Sequence, residues 1–390
     1  MDYITLTEHQ VEALKADSLT YQEAAIVRRR YGKHLSIEYP SPATDNYWII
    51  RPKGKVGVLP LRPDRAIHIR PKGSVRNVFQ MLDLIGELPE IPKGIATTEP
   101  VTDIIQQLIR MLSSQVQRRA RRGLHQAYER QARRLPYIRG KVDVARHLRS
   151  AHQLQIPCRY LKRKADIEIN RILAWTLYKV HRSGLCTAQT QKSVRMALKC
   201  LSGYVKITPM ETQVCRRQTY DRLTQDYASL HGACYLLLKH MGLSHRSGEE
   251  HTIPFIVDMP DVFEKYVVEL LRQTVNPDVR VVPQYQYPHA FGRFTMDAVL
   301  FSRRDDKADT VVEVKYKYTQ NPSSDDVQQV VAYATALNCK HAVLVFPSVG
   351  ICQKKARIGD VIVSLRTIPL DSDTLKSVHS SGILSELVLL

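Results

Sequence analysis

Apolar and polar residues alternate in four short runs near the amino terminus: HLSIEY (34–39), YWIIR (47–51), VGVLPL (56–61) and AIHIRPK (66–72). Pro40, Pro42, Gly54, Pro60 and Pro63 interrupt these runs, so the pattern predicts short strands curled into a small β-rich domain. The period then lengthens. In VRNVFQMLDLIGEL (75–88), Val78, Met81, Leu82 and Ile85 recur at helical spacing. Helical spacing continues through 102–134, 166–184 and 219–242, so the middle of the chain reads as mainly helical. From about residue 250 the pattern changes again. A helix over 260–274 leads into strands near 279–287, 293–301 and 309–317, then a helix over 325–337 and strands at 342–347 and 361–366. That order predicts an α/β domain built on a mixed sheet. The expected organisation is therefore α+β and multidomain: a β-rich domain 1–95, a helical region 96–250 and an α/β domain 251–390.

Charge sharpens this division. The 390 residues carry a net charge of +19, and it is unevenly placed. Residues 1–250 hold 42 basic and 22 acidic side chains, whereas residues 251–390 hold 15 and 16. Between Arg110 and Arg149 there are 12 Lys and Arg against only Glu129 and Asp143. Such a stretch is either a solvated face or a surface for a polyanion, DNA or an acidic protein. Arg118, Arg119, Arg121, Arg122, Arg133, Arg134, Arg139 and Lys141 are its candidate contacts. The PKG elements at 52–54, 71–73 and 92–94 read more simply as exposed turns.

Other classes fall away. No apolar run approaches the roughly 18–20 residues of a membrane span, and the first residues do not resemble a secretory signal. The seven cysteines are scattered and never form CxxC, which favours reduced thiols in a cytoplasm. No GxxxxGK[ST] loop is present, so the chain is not itself a nucleotide motor.

The chemistry concentrates on two apolar strands. In VVEVKY, alternation sets Val312, Val314 and Tyr316 on one face and Glu313 and Lys315 on the other. Asp297 interrupts the otherwise apolar TMDAVLF. Charges inside core strands cost several kcal/mol unless they are paired or bind a metal. A divalent cation between Asp297 and Glu313 would neutralise both, and hard oxygen donors favour Mg²⁺, replaceable by Mn²⁺. Lys315 would face the scissile phosphate or the attacking water. A helix with Glu264 or Glu269 precedes these strands. A helix with Gln329 and Tyr333, four apart and so on one face, follows them. Taken alone, D-x15-E-x-K is a weak signal, and a Glu–Lys ladder at a sheet edge is the ordinary structural alternative.

The order Glu264, Asp297, Glu313-Val314-Lys315, Gln329-x-x-x-Tyr333 resembles the PD-(D/E)XK nuclease superfamily, in its branch with a Q-x-x-x-Y helix. YIRGKVDVARHL (137–148), YLKRKADIEINRILAWTL (160–177, with Glu168 and Asn170) and MPDVFEKYVVELL (259–271) resemble segments of the McrC family. The resemblance covers most of residues 55–350. The family's usual Pro-Asp, or Thr-x-Asp, stands here as Thr295-Met296-Asp297, a form that the family tolerates. The resemblance implies a nuclease subunit in which Asp297, Glu313 and the Val314 carbonyl hold Mg²⁺. Lys315 activates or orients water, Glu264 completes the metal shell or positions water, and Gln329 and Tyr333 brace the site. It also implies a partner: an McrB-like AAA+ GTPase hexamer that reads methylated duplex DNA and is stimulated on docking. A nuclease fold that serves as a non-catalytic adaptor, and a stand-alone repair nuclease, stay open as alternatives. The charge asymmetry suggests that docking and chemistry separate near residue 250.

Overall fold

The computed structural model describes residues 2–62, 65–73, 75–85, 101–149, 154–241, 254–319, 321–348, 350 and 352–370. The expected domain limits at 95/96 and 250/251, and the PKG at 92–94, lie outside the described residues. The first part of the chain forms β1 (Asp2–Thr7), β2 (Glu12–Leu14), α1 (Tyr21–Ile26), β3 (Leu35–Glu38), β4 (Trp48–Pro52), β5 (Lys55–Arg62), β6 (Arg65–Arg70) and α2 (Val75–Leu84). The middle adds α3 (Val101–Arg122), β7 (Ala127–Leu135), β8 (Lys141–Val142), α4 (Val144–Leu148), β9 (Ile156–Lys164), α5 (Glu168–Arg182), α6 (Ala188–Leu201) and α7 (Asp226–His240). The last part contains β10 (Phe255–Asp258), α8 (Met259–Thr274), β11 (Val279–His289), β12 (Gly292–Ser302) and β13 (Ala308–Val314). It ends with α9 (Ser324–Ala336), β14 (His341–Ser348), β15 (Gln353–Ile358) and β16 (Val361–Pro369). Two compact units result: residues 1–104 together with 254–390, and residues 105–253.

In the first unit the alternating runs become two small sheets, in orders β1-β6-β5-β10 and β2-β4-β3. Their apolar faces share one core with Leu6, Trp48, Ile50, Leu59, Ile67 and Ile69. The Tyr31 hydroxyl, buried in this core, donates to the Pro60 carbonyl at 2.7 Å. β10 comes from the far end of the chain and pairs antiparallel with β5. Gly57 makes that pairing possible. A Cβ there would lie 2.0 Å from the Phe255 carbonyl oxygen, and the residue has φ +145°. The N-terminal and C-terminal parts, which the sequence suggested as separate domains, thus share a sheet.

The six-stranded sheet runs β11-β12-β13-β14-β16-β15. β11, β12 and β13 form an antiparallel meander, and β13, β14 and β16 are parallel. This is the mixed sheet expected from the sequence. Val330, Tyr333 and Ala334 of α9 close its core over Val299, Val311, Leu344 and Phe346. α9 starts at a capping box in which Ser323 Oγ accepts from Asp326 N–H at 3.2 Å. α8 buries Val262, Phe263, Tyr266, Val267 and Leu270.

The second unit is helical only in part. α3 ends at Arg122, followed by Gly123 at φ +98°, and the chain then enters β7 rather than continuing as the helix expected to Arg134. β7, β9 and β8 form an antiparallel sheet with β9 in the centre. α7 begins at Asp226, so residues 219–225 are not helical as expected. The helices carry the core: Ile105, Ile109, Leu112, Ile172, Leu177, Val194 and Leu237 are all buried. Gln106 ties α3 to the α5–α6 connection, donating to the Leu185 carbonyl at 2.5 Å and accepting from Thr187 N–H at 3.0 Å. Among the described residues, no helix is long and apolar enough to cross a membrane.

Candidate active site

Asp297 and Glu313 meet because of register. β12 and β13 pair Ala298 with Val312, and one further step sets Asp297 across from Glu313. At that level the Val314 N–H donates to Asp297 Oδ2 at 2.8 Å. Glu313 is 3% exposed. Its Oε1 accepts from Lys315 Nζ at 2.7 Å, while its Oε2 is buried without a hydrogen-bond partner. Lys315 also donates to Gln329 Oε1 at 3.1 Å, and Gln329 Nε2 donates to the Tyr333 hydroxyl at 2.8 Å. The Tyr333 ring rests on Phe294 of β12, with centroids 5.1 Å apart. A continuous polar chain therefore runs from the carboxylates on the sheet to α9.

Glu264 joins from α8. Its Oε1 accepts from Gln284 Nε2, and Asp297 is close enough to repel its charge. Glu269 instead bonds Arg272 and Gln273 on its own helix, at 3.5 and 3.2 Å. The acid that faces the strands is Glu264.

The electrostatics follow from burial. Desolvation, and then repulsion from Asp297, push the carboxyls of Glu264 and Glu313 each up to about 7. Asp297 is also raised by burial, against the pull of Val314 N–H and Lys315. Burial alone would lower Lys315, but its ion pair with Glu313 outweighs this and holds it cationic. The site is thus short of positive charge. Three carboxylates face one ammonium.

Among the described residues, no three His, Cys, Asp or Glu side chains are grouped so as to hold a metal by themselves. The donor set does fit a cation that keeps much of its own water. It offers hard oxygens, carboxyls raised by burial and, for Glu264 and Glu313, by repulsion from Asp297, and the unpartnered Glu313 Oε2. Val314 touches Asp297 through its N–H.

The basic candidates are scattered over the second unit. Arg118, Arg121 and Arg122 are exposed at the end of α3. Arg119 is occupied within the unit: it donates to Asp226 Oδ2 at 3.3 Å and stacks on Tyr227 at 4.9 Å. Arg133 and Lys141 are exposed on the β7-β9-β8 sheet, Arg134 donates to the Gln155 carbonyl at 3.3 Å, and Arg139 lies over the Tyr160 ring at 4.4 Å. Asn170 is fully buried and structural. It donates to the His125 and Ala165 carbonyls and accepts from the Tyr227 hydroxyl at 2.7 Å.

The profile of the McrBC 5-methylcytosine restriction system component matches residues 50–347. The chain belongs to this family. The match spans both units and all six of the site residues described above. Among solved structures, this McrBC component is similar to a chain in a refined half-complex from a tetradecameric assembly of Thermococcus gammatolerans McrB AAA+ hexamers with bound McrC. The TM-score is 0.67 at 16% identity, covering 100% of both chains. It is also similar to a chain of the cryo-EM structure of the Thermococcus gammatolerans McrBC complex, with TM-score 0.49, 18% identity and coverage of 70% of this chain and 88% of the other. No curated protein matches.

Two site features escaped the sequence. Gln284 has φ +47°, uncommon for a side-chain-bearing residue, and it interrupts the β11–β12 ladder between Pro283↔Ala298 and Tyr285↔Met296, at the level of Asp297. Nothing in its residue type announces this. Glu8, far away in sequence, bonds Tyr316 beside Lys315.

Proposed function

We propose that this McrBC component is an endonuclease subunit of the McrC type that hydrolyses phosphodiesters of duplex DNA with Mg²⁺, or Mn²⁺ in its place. Its C-terminal sheet is read as a PD-(D/E)XK nuclease domain. Its partner is a McrB-like AAA+ GTPase hexamer, which recognises methylated DNA and which the chain stimulates. One observation carries the catalytic part of this reading: Glu313, buried near the end of β13, is ion-paired to Lys315 just beyond the strand and stands beside Asp297 of β12, where buried carboxylates without a task are costly. The seven free cysteines suit a reducing cytoplasm.

Asp297 and Glu313, with the Val314 carbonyl and Glu264 in support, would hold the cation. Bound Mg²⁺ would supply Lewis-acid stabilisation of the phosphate oxygens. Lys315 presents a cation toward the attacking water and the charge that develops on phosphate. Gln329 gives the ammonium a second anchor, so it stays in place when Glu313 is engaged elsewhere. Tyr333 fixes Gln329 in turn. Glu264, near neutrality in its proton affinity, can accept or return a water proton.

The test uses the full chain with its GTPase partner, methylated duplex DNA, GTP and Mg²⁺. Asp297→Ala, Glu313→Ala and Lys315→Ala should each lower cleavage by at least about 100-fold, while stimulation of GTP turnover persists. A Lys315→Ala protein that cuts at the wild-type rate would sink the assignment.

A further inference from the structure

Glu8 is 0% exposed, and no reacting group of the proposed site touches it. It follows β1, where its N–H donates to the Arg70 carbonyl at 2.9 Å. Its Oε1 accepts two hydrogen bonds, from the Lys72 N–H at 2.8 Å and from the Tyr316 hydroxyl at 2.7 Å. Its Oε2 is buried without a partner. A carboxyl placed this way carries a desolvation cost that one hydroxyl, one amide and the nearby Lys72 charge offset only in part. Burial accordingly raises its proton affinity. An apolar residue would be cheaper here, unless the acceptor has a task.

That task is visible in what Tyr316 touches. Tyr316 is the next residue after Lys315, and the Lys315 N–H is itself fixed to the Val345 carbonyl at 2.9 Å. The Tyr316 ring lies against Phe263, with centroids 5.6 Å apart, and Phe263 immediately precedes Glu264 on α8. His9 and Tyr318 enclose the same ring at 6.1 and 5.9 Å. One ring thus adjoins both the segment that leaves β13 through Lys315 and the helix that carries Glu264. Its hydroxyl is held by the N-terminal β-rich part of the chain.

We propose that Glu8 is a positioning residue for this site: by accepting the Tyr316 hydroxyl it sets the Glu313–Lys315 segment and, through Phe263, the height of Glu264. The inference rests on the nuclease reading above and deepens it. It also gives the N-terminal part a second duty beside any docking, because whatever shifts β1 shifts the bond to Tyr316. Glu8 touches neither DNA nor cation. It reaches the site through Tyr316, and its other bond is to the Lys72 N–H.

Tyr316→Phe keeps the ring and removes only the donor, so it is the variant least able to disturb folding. In the full complex with methylated DNA, it should lower the single-turnover cleavage rate by about 10-fold or more. The KM for DNA and the stimulation of GTP turnover should stay at wild-type values. Glu8→Ala should do the same. Glu8→Gln, whose amide oxygen can still accept from Tyr316, should restore the rate to within about 3-fold of wild type. Glu8→Ala combined with Tyr316→Phe should be no slower than Glu8→Ala, since the Glu8–Tyr316 bond is already lost in the single variant. Wild-type cleavage by Tyr316→Phe overturns the inference. Parallel loss of cleavage, DNA affinity and GTP stimulation also overturns it, by showing general damage instead of positioning. Lys315→Ala is run beside these variants. If it cuts normally, the nuclease reading itself is wrong and the positioning role falls with it, whereas a dead Lys315→Ala beside an unaffected Tyr316→Phe removes only Glu8.

Discussion

Glu264 and Glu313 each have a carboxyl pushed to about 7 by burial and by Asp297, against an unfolded value near 4.3. A carboxyl raised in the folded state favours folding only while it is protonated. Its contribution is complete below about pH 4.3 and is lost as pH rises through about 7. The metal-free protein should therefore lose thermal stability between about pH 5 and pH 8. Glu313→Gln keeps the shape and the acceptor for Lys315 but cannot ionise. It should flatten that loss and raise the Tm at pH 8, and Mg²⁺ should raise the Tm of the wild type more than that of the variant. Calorimetry across pH with and without Mg²⁺ decides this, and a metal-free Glu313→Gln that melts below wild type at pH 8 goes against it. The same residues show what a sequence can disclose. Asp297, Glu313 and Lys315 stand out because each is a charge among Val, Ala and Met. Gln284 does not, because a positive φ at the level of Asp297 is a backbone property that its residue type does not announce. Glu8 sits among Thr7, His9 and Gln10, where an acid reads as surface, and only the fold buries it.

Elements were legible where they buried a face. α8, α9 and the strands β12, β13, β14 and β16 all pack one or two apolar faces, and their patterns gave type and place. β15 was missed because all six of its residues are exposed, with Lys354, Lys355 and Arg357 on an edge that such charges keep from further pairing. β7 was missed for the same reason. Most of it is exposed, and its arginines suit helix or strand equally. The helix that the sequence pattern predicts through it stops where the apolar stripe of Ile109, Leu112 and Val116 runs out. This changes the meaning of the basic run. Arg118, Arg121 and Arg122 are free of the ion pair that holds Arg119, so the four are not equivalent. Reversing Arg118, Arg121 and Arg122 to Glu should weaken DNA binding alike for all sequences and reduce the salt slope by about 0.9 for each phosphate that is no longer neutralised. Arg119→Glu should instead lower the Tm, by setting two acids side by side. Filter binding at several salt concentrations and thermal melts separate the two effects. An unchanged salt slope in the triple variant would rule out DNA as the partner of these three arginines.

At the scale of the whole molecule, the charge asymmetry near residue 250 suggested that a fragment ending there would keep docking and shed chemistry. The first unit argues for a different cut. It comprises residues 1–104 and 254–390, and β10 pairs with β5 through Phe255↔Val58, Ile256↔Gly57 and Val257↔Val56. Phe255 and Val257 are buried there, and Glu8 depends on Tyr316 as an acid buried by chain 308 residues away. Ending the chain at Glu250 would leave β5 as a bare edge and take the Tyr316 donor away from Glu8. By contrast, residues 105–253 pack against one another: α5 lies on α6 and α7, and Gln106 fastens α3 to the α5–α6 connection within the same unit. The fragment 105–253 should therefore fold alone, with helical circular dichroism and a single cooperative melt. The fragment 1–250 should aggregate, or retain secondary structure without a sharp transition. The net excess of basic charge follows the smaller fragment, because the Arg110–Arg149 stretch lies in it. If 1–250 melts cooperatively near the temperature of the full chain, β10 and Tyr316 are dispensable to the N-terminal part, and the coupling between β1 and the Glu313–Lys315 segment has no structural basis.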